Sequence, residues 1–197
     1  MPHRLFPRNA PRHHSAQARQ QQGHGLRRTI AALGAGCACL LGPVAAQASE
    51  VSLLAGNWDG YHNVTAAWQS DALWQHDFGS QRLDLSVEAS VGRVFGPAGQ
   101  PGAPLWHVGL TPFVRWWFSD ATALEAGIGA NVFSGTYIGS KSISTAYQFG
   151  DSLGLYHRIA STPWGVGVRF THYSNADIKR PNPGQNYLQL RLSYELR

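Results

Sequence analysis

The chain has 197 residues, 43% of them hydrophobic and only 14% charged, with 16 Lys and Arg against 11 Asp and Glu for a formal net charge of +5. Six of the basic residues and both cysteines, Cys37 and Cys39, fall within the first 48 residues, which hold no acid. From Ser49 onward 10 basic residues face 11 acidic ones, which removes any charge-based case for a nucleic-acid partner, a disulfide framework or thiol chemistry.

Residues 1–48 read as a leader and signal peptide. Arg27-Arg28 is a basic region, Ile30 to Ala45 an apolar core, and Ala46-Gln47-Ala48 a small-x-small cleavage site, which places the cut before Ser49. The apolar run is too short and too glycine-rich for a membrane-spanning helix of roughly 20 residues. Export without an anchor there is expected. A lipoprotein signal at Cys37 fits poorly, because Gly34 stands where a branched aliphatic residue is expected. The polar stretch 1–25 reads as an extended leader or as sequence ahead of the true start codon.

Residues 49–197 read as one domain built from eight strands, at about 50–58, 61–77, 81–95, 104–118, 122–134, 145–159, 163–174 and 185–197. In the third, Leu83, Leu85, Val87, Ala89 and Val91 alternate with Asp84, Ser86, Glu88 and Ser90. In the fourth, Trp106, Val108, Leu110, Val114, Trp116 and Phe118 share one face, and Arg115 and Trp117 lie on the other. The fifth and eighth repeat the pattern, with Leu124, Ala126 and Ile128 and with Leu188, Leu190 and Leu192 on their apolar faces. No segment shows a convincing helical period.

Several of these runs reach the roughly 9–11 residues that cross a bilayer at a tilt. An exported chain with an even number of long antiparallel strands, an apolar outside and aromatic residues near strand ends predicts an all-β fold, an eight-stranded transmembrane β-barrel of the outer membrane of a Gram-negative bacterium. The inward set Asp84, Glu88, Arg115, Glu125, Arg158, Arg169, Arg191 and Glu195 carries both signs, as a self-compensating polar core requires. At eight strands side chains fill the lumen and leave no pore. A soluble sandwich predicts the same alternation, but neither export nor strands of this length. The connections near 58–61, 95–104, 134–145 and 174–185 are expected outside the cell, and those near 79, 120 and 161 in the periplasm.

The seventh strand carries the chemistry. Val166, Val168, Phe170, His172 and Ser174 share one face, so a base and a nucleophile continue an apolar row towards the outer rim. A tight turn at Ser161-Thr162 sets Asp151 of the sixth strand opposite His172, and Asn186 lies in line with Leu188 on the last strand. Four polar side chains on a face meant for hydrocarbon are costly and favour a functional reading. Acyl transfer suits them: His172 takes the Ser174 proton, a third group fixes the imidazole, and Asn175 or Asn182 donates to the oxyanion. Histidine fits because imidazoles ionise near neutrality. The bland alternative is a strand that ends among headgroups, with Asn182 a mere turn former in Pro181-Asn-Pro-Gly184. His62, His76, His107 and His157 show no metal-ligand spacing, and the chemistry needs no cofactor.

The segment His172-Tyr-Ser-Asn-Ala-Asp-Ile-Lys-Arg-Pro-Asn-Pro-Gly184 with the strand after it closely resembles the lipid A 3-O-deacylase family of outer-membrane enzymes. The resemblance implies an eight-stranded barrel with a serine hydrolase site on its outer surface. That site would remove the ester-linked 3-hydroxyacyl chain at position 3 of lipid A, making lipopolysaccharide the substrate and partner within outer-membrane lipid. It assigns the base to His172, the nucleophile to Ser174 and the oxyanion donors to Asn175 and Asn182, and it implies that two copies can pair as a homodimer. One position departs. Where the best-known members carry the triad's acid, twelve residues after the serine, this chain has Asn186. Either Asn186 orients the ring as an amide, or Asp151 supplies the charge from the other flank, or activity is weak; its carboxylate makes Asp151 the expected partner. A phospholipase and a non-catalytic structural barrel are the competing functions.

Overall fold

A sheet with one apolar and one polar face satisfies both, and every backbone group, by closing on itself in lipid. The computed structural model describes residues 49–196 and shows this closure; the expected leader and signal at 1–48 lie outside the described residues. The strands are β1 (Glu50–Trp58), β2 (Tyr61–Gln69), β3 (Trp74–Phe78), β4 (Gln81–Phe95), β5 (Leu105–Trp117), β6 (Thr122–Phe133), β7 (Tyr137–Ile138), β8 (Lys141–Ser142), β9 (Tyr147–Arg158), β10 (Trp164–Ser174) and β11 (Gln185–Glu195). Sheet order runs β2-β1-β11-β10-β9-β6-β5-β4, and β2 pairs back onto β4, so eight antiparallel strands form a closed ring. β7 and β8 make a separate small hairpin in the connection between β6 and β9.

The strand expected over 61–77 is broken in two. Gln69 faces Glu88 but Trp74 faces Leu85, so Ser70–Leu73 stand against only Ser86 and Val87 of β4. The two extra residues make a bulge. Ser70 stitches it closed, donating its N–H to Val87 O at 2.9 Å and accepting the Val87 N–H on Oγ at 3.0 Å.

Period-two alternation sorts the side chains. Leu190, Ile128 and Leu153 on the outer wall are 70%, 65% and 62% exposed, an uncovered apolar surface that only hydrocarbon would satisfy. Aromatic residues mark both ends of this band, Trp116, Phe118, Trp164 and Tyr194 near the barrel's termini and Trp58, Trp106 and Tyr147 at the opposite end.

Inside, three arginines meet three glutamates. Arg169 holds Glu88 with two nitrogens at 2.8 Å each and Glu125 at 2.9 Å. Arg191 reaches Glu125 at 2.8 Å, Arg115 reaches it at 3.2 Å, and both arginines bond Glu50. Glu50 stands outside the inward set read from the sequence, because the first strand is apolar on its other face and gives little warning of one carboxylate. Arg158 and Glu195 of that set point inward but lie only half-buried near the termini. The opposite end of the lumen is closed by apolar packing of Tyr61, Val94, Phe133, Tyr173 and Tyr187 under Ile138 and Ile143 of the β7–β8 hairpin.

Candidate active site

The connections group as expected. The long ones, including 134–146 and 175–184, lie at one end of the barrel, and the tight turns after β3, β5 and β9 lie at the other. Long loops at one end are the extracellular pattern of outer-membrane barrels. β10 runs toward that end and leaves the sheet after Ser174.

The turn from β9 to β10 sets the register there. Ile159 N–H bonds Trp164 O at 2.9 Å and Thr162 N–H bonds Ile159 O at 3.1 Å, so the connection is longer than a two-residue turn but keeps the same pairing sense. Asp151 of β9 faces His172 across one edge of β10, and Asn186 of β11 faces it across the other. Ser174 faces Phe149 one repeat further out. Alternation thus delivers Asp151, His172, Ser174 and Asn186 to one outward patch.

Side-chain geometry separates the two flanks. His172 Nδ1 lies 2.6 Å from Asn186 Oδ1. An amide oxygen accepts a hydrogen bond, so this contact puts the imidazole proton on Nδ1 and leaves the Nε2 lone pair free. Asp151 is exposed, and among the described residues it makes no hydrogen bond or ion pair. The orienting contact expected of Asp151 is therefore made by Asn186: both residues flank His172 in register, but only the amide reaches its ring. Asp151 instead lines an open apolar groove with Ala126, Ile128, Leu153, Phe170 and His172 on the outer wall.

The loop after Ser174 is tied down in detail. Asn175 is fully buried, its carboxamide donating to Lys179 O at 2.8 Å and Ile143 O at 3.4 Å. Its backbone N–H donates to Asn182 Oδ1 at 3.1 Å. The two asparagines therefore meet beside the serine, with Asn182 held through its oxygen and its amide nitrogen left as the remaining donor. Ser144 Oγ donates to Pro181 O, and Lys141 Nζ donates to Gln185 Oε1 at 2.8 Å, so the β7–β8 hairpin braces this loop. Burial lowers the pKa of the Lys141 ammonium, which also sits 4.3 Å from the Tyr61 ring. Sequence reasoning missed Lys141, Gln185 and Gly184; of these only Gly184 carried a signal, as the end of a turn motif. Among the described residues no group of three His, Cys, Asp or Glu is placed to hold a metal.

Fold and patch together define a class: a small outer-membrane barrel with a histidine and a serine displayed on its outer wall near the extracellular rim. The sequence profile of the lipid A 3-O-deacylase (PagL) family matches residues 53–195. The lipid A deacylase PagL of Bordetella bronchiseptica is 40% identical over 148 residues, which cover 74% of this chain and 82% of that protein. That of Pseudomonas aeruginosa is 33% identical over 147 residues, covering 71% and 82%. The crystal structure of the outer-membrane enzyme PagL superposes with a TM-score of 0.63 at 26% identity, covering 75% of this chain and 99% of that one. The chain belongs to the lipid A 3-O-deacylase family and is an eight-stranded barrel of the outer membrane.

Proposed function

We propose that the chain is an outer-membrane serine esterase that hydrolyses the ester holding the 3-O-linked 3-hydroxyacyl chain of lipid A. The observation that carries the reading is the His172–Asn186 contact at 2.6 Å on a lipid-facing wall, with Ser174 two residues along the same face. A substrate embedded in the same leaflet meets such a site without leaving the membrane.

In this reading Ser174 Oγ attacks the ester carbonyl carbon while His172 Nε2 takes its proton. The tetrahedral oxyanion is met by the Asn182 amide, which the Asn175 N–H holds in place. Collapse breaks the bond to the sugar oxygen, which leaves with the proton from His172, and the acyl chain stays on Ser174. Water, deprotonated by the same imidazole, attacks the acyl carbon, the bond to Ser174 Oγ breaks as His172 returns the proton to Oγ, and the 3-hydroxy fatty acid is released. Ser174 and His172 are not hydrogen-bonded to each other; in hydrolases such a contact is often long until the reacting complex forms. Asn186 orients the ring, and Asp151, beside His172 in the groove, is an unengaged acceptor available to take a hydrogen bond from the substrate's hydroxyl.

The test is hydrolysis by the purified barrel in mixed micelles with lipopolysaccharide and phospholipid. Release of a 3-hydroxy fatty acid, absent with Ser174→Ala, is the expected result. Release of phospholipid acyl chains instead makes the chain a phospholipase, and no release from the folded barrel makes it a structural protein.

A further inference from the structure

We propose that Gly184 is a positioning residue for the His172 imidazole, a role that rests on the serine-hydrolase reading above. The loop rejoins β11 through Gly184 at φ +65°. A Cβ built there would stand 2.5 Å from His172 Cε1, 3.2 Å from Nε2 and 3.4 Å from Nδ1. The bare backbone of Gly184 therefore seats the ring edge that joins its two nitrogens, and no methyl group fits between them.

A push on Cε1 moves both nitrogens at once, Nδ1 relative to Asn186 and Nε2 relative to Ser174. The backbone is poorly free to yield. Gln185, the next residue, is buried, holds Lys141 Nζ at 2.8 Å and donates to Asn186 O at 2.9 Å. Asn182, two residues before, is held by the Asn175 N–H at 3.1 Å. What gives way is the imidazole, the free end of a side chain, and its position is the function. The five residues Asn182 to Asn186 thus form one device: the first meets the residue after the nucleophile, the third seats the ring and the fifth accepts its hydrogen bond.

Glycine is required here for two separable reasons. A left-handed φ favours it at any site, and the contact with His172 excludes any Cβ, even on a residue that tolerates that φ. Gly79 and Gly99 show the first reason without the second, at φ +64° and +79° with nothing within 4 Å of a built Cβ.

The experiment compares Gly184→Ala and Gly184→Asn with Gly79→Ala and Gly99→Ala, each with activity normalised to the folded fraction. Asparagine adopts the left-handed region more readily than alanine, so backbone strain and the imidazole contact are told apart. The expected result is a kcat lowered roughly 10- to 100-fold in both Gly184 variants with little change in KM. Their pH–rate profiles shift in the limb governed by the general base, and the two control variants stay near wild type. Full activity in Gly184→Asn, or wild-type kcat in both Gly184 variants, overturns the proposal. Ser174→Ala is run alongside: if it is inactive while the Gly184 variants are not, only the positioning role falls, and if it is active the esterase reading falls with it.

Discussion

Two sets of polar residues share this sheet and are treated in opposite ways. In the lumen Arg115, Arg169 and Arg191 are matched by Glu50, Glu88 and Glu125, each charge bonded to at least one of opposite sign. In the outward patch of Asp151, His172, Ser174 and Asn186 the one side-chain hydrogen bond among the described residues is that of a neutral amide to a histidine, and the Asp151 carboxylate and the Ser174 hydroxyl are unengaged. Saturated charges hold a structure together, because removing a partner leaves a buried charge uncompensated. Unsaturated ones on a face meant for hydrocarbon are costly unless a ligand completes them. The contrast separates polar residues that support the fold from those proposed to meet the substrate.

The largest expected effects break the two sets separately. Ser174→Ala should lower kcat by roughly 10⁴-fold or more and leave the unfolding midpoint of the barrel in urea unchanged. Glu125→Gln, which strips a carboxylate from three arginines, should cost about 3–5 kcal/mol in the same unfolding experiment, while kcat per folded barrel stays within about twofold of the parent, since no substrate contact is lost. If each variant moved both readouts, the lumenal and outer-wall sets would not be separate.

Asn186 sharpens the comparison. An amide that presents its oxygen fixes the imidazole tautomer but does not stabilise imidazolium as a carboxylate does. Asn186→Asp should therefore raise kcat by about tenfold, and Asn186→Ala should lower it by roughly as much; a slower Asp variant would show that the neutral contact suits this site. The smallest effect belongs to Asp151→Asn, expected to raise KM by a few-fold for a 3-hydroxyacyl ester and to leave an ester lacking that hydroxyl unchanged, as read from paired KM measurements.

The sequence read well wherever period-two alternation and tight turns decide the outcome. β4 begins and ends where the alternation of Leu83 to Val91 predicts, and the position of the β9–β10 turn was enough to oppose Asp151 and His172. It read poorly wherever three-dimensional contacts decide. The bulge at Ser70–Leu73 lies in a run that still alternates loosely, and Glu50 is a single carboxylate whose arginine partners lie far along the chain. Asp151 and Asn186 are equivalent by register, and only reach and rotamer give the imidazole to the amide. Charge chemistry favoured the carboxylate, and geometry went the other way. Gly184 looked like a turn former because a seat for the ring leaves no mark on sequence beyond the glycine itself.

The most direct test of the central claim is mass spectrometry of lipid A from cells that express the chain or its Ser174→Ala form, with insertion of both barrels in the outer membrane verified. Loss of one 3-hydroxyacyl mass with the parent and intact lipid A with the alanine form are expected. Intact lipid A with the parent, or equal loss with both, would contradict it.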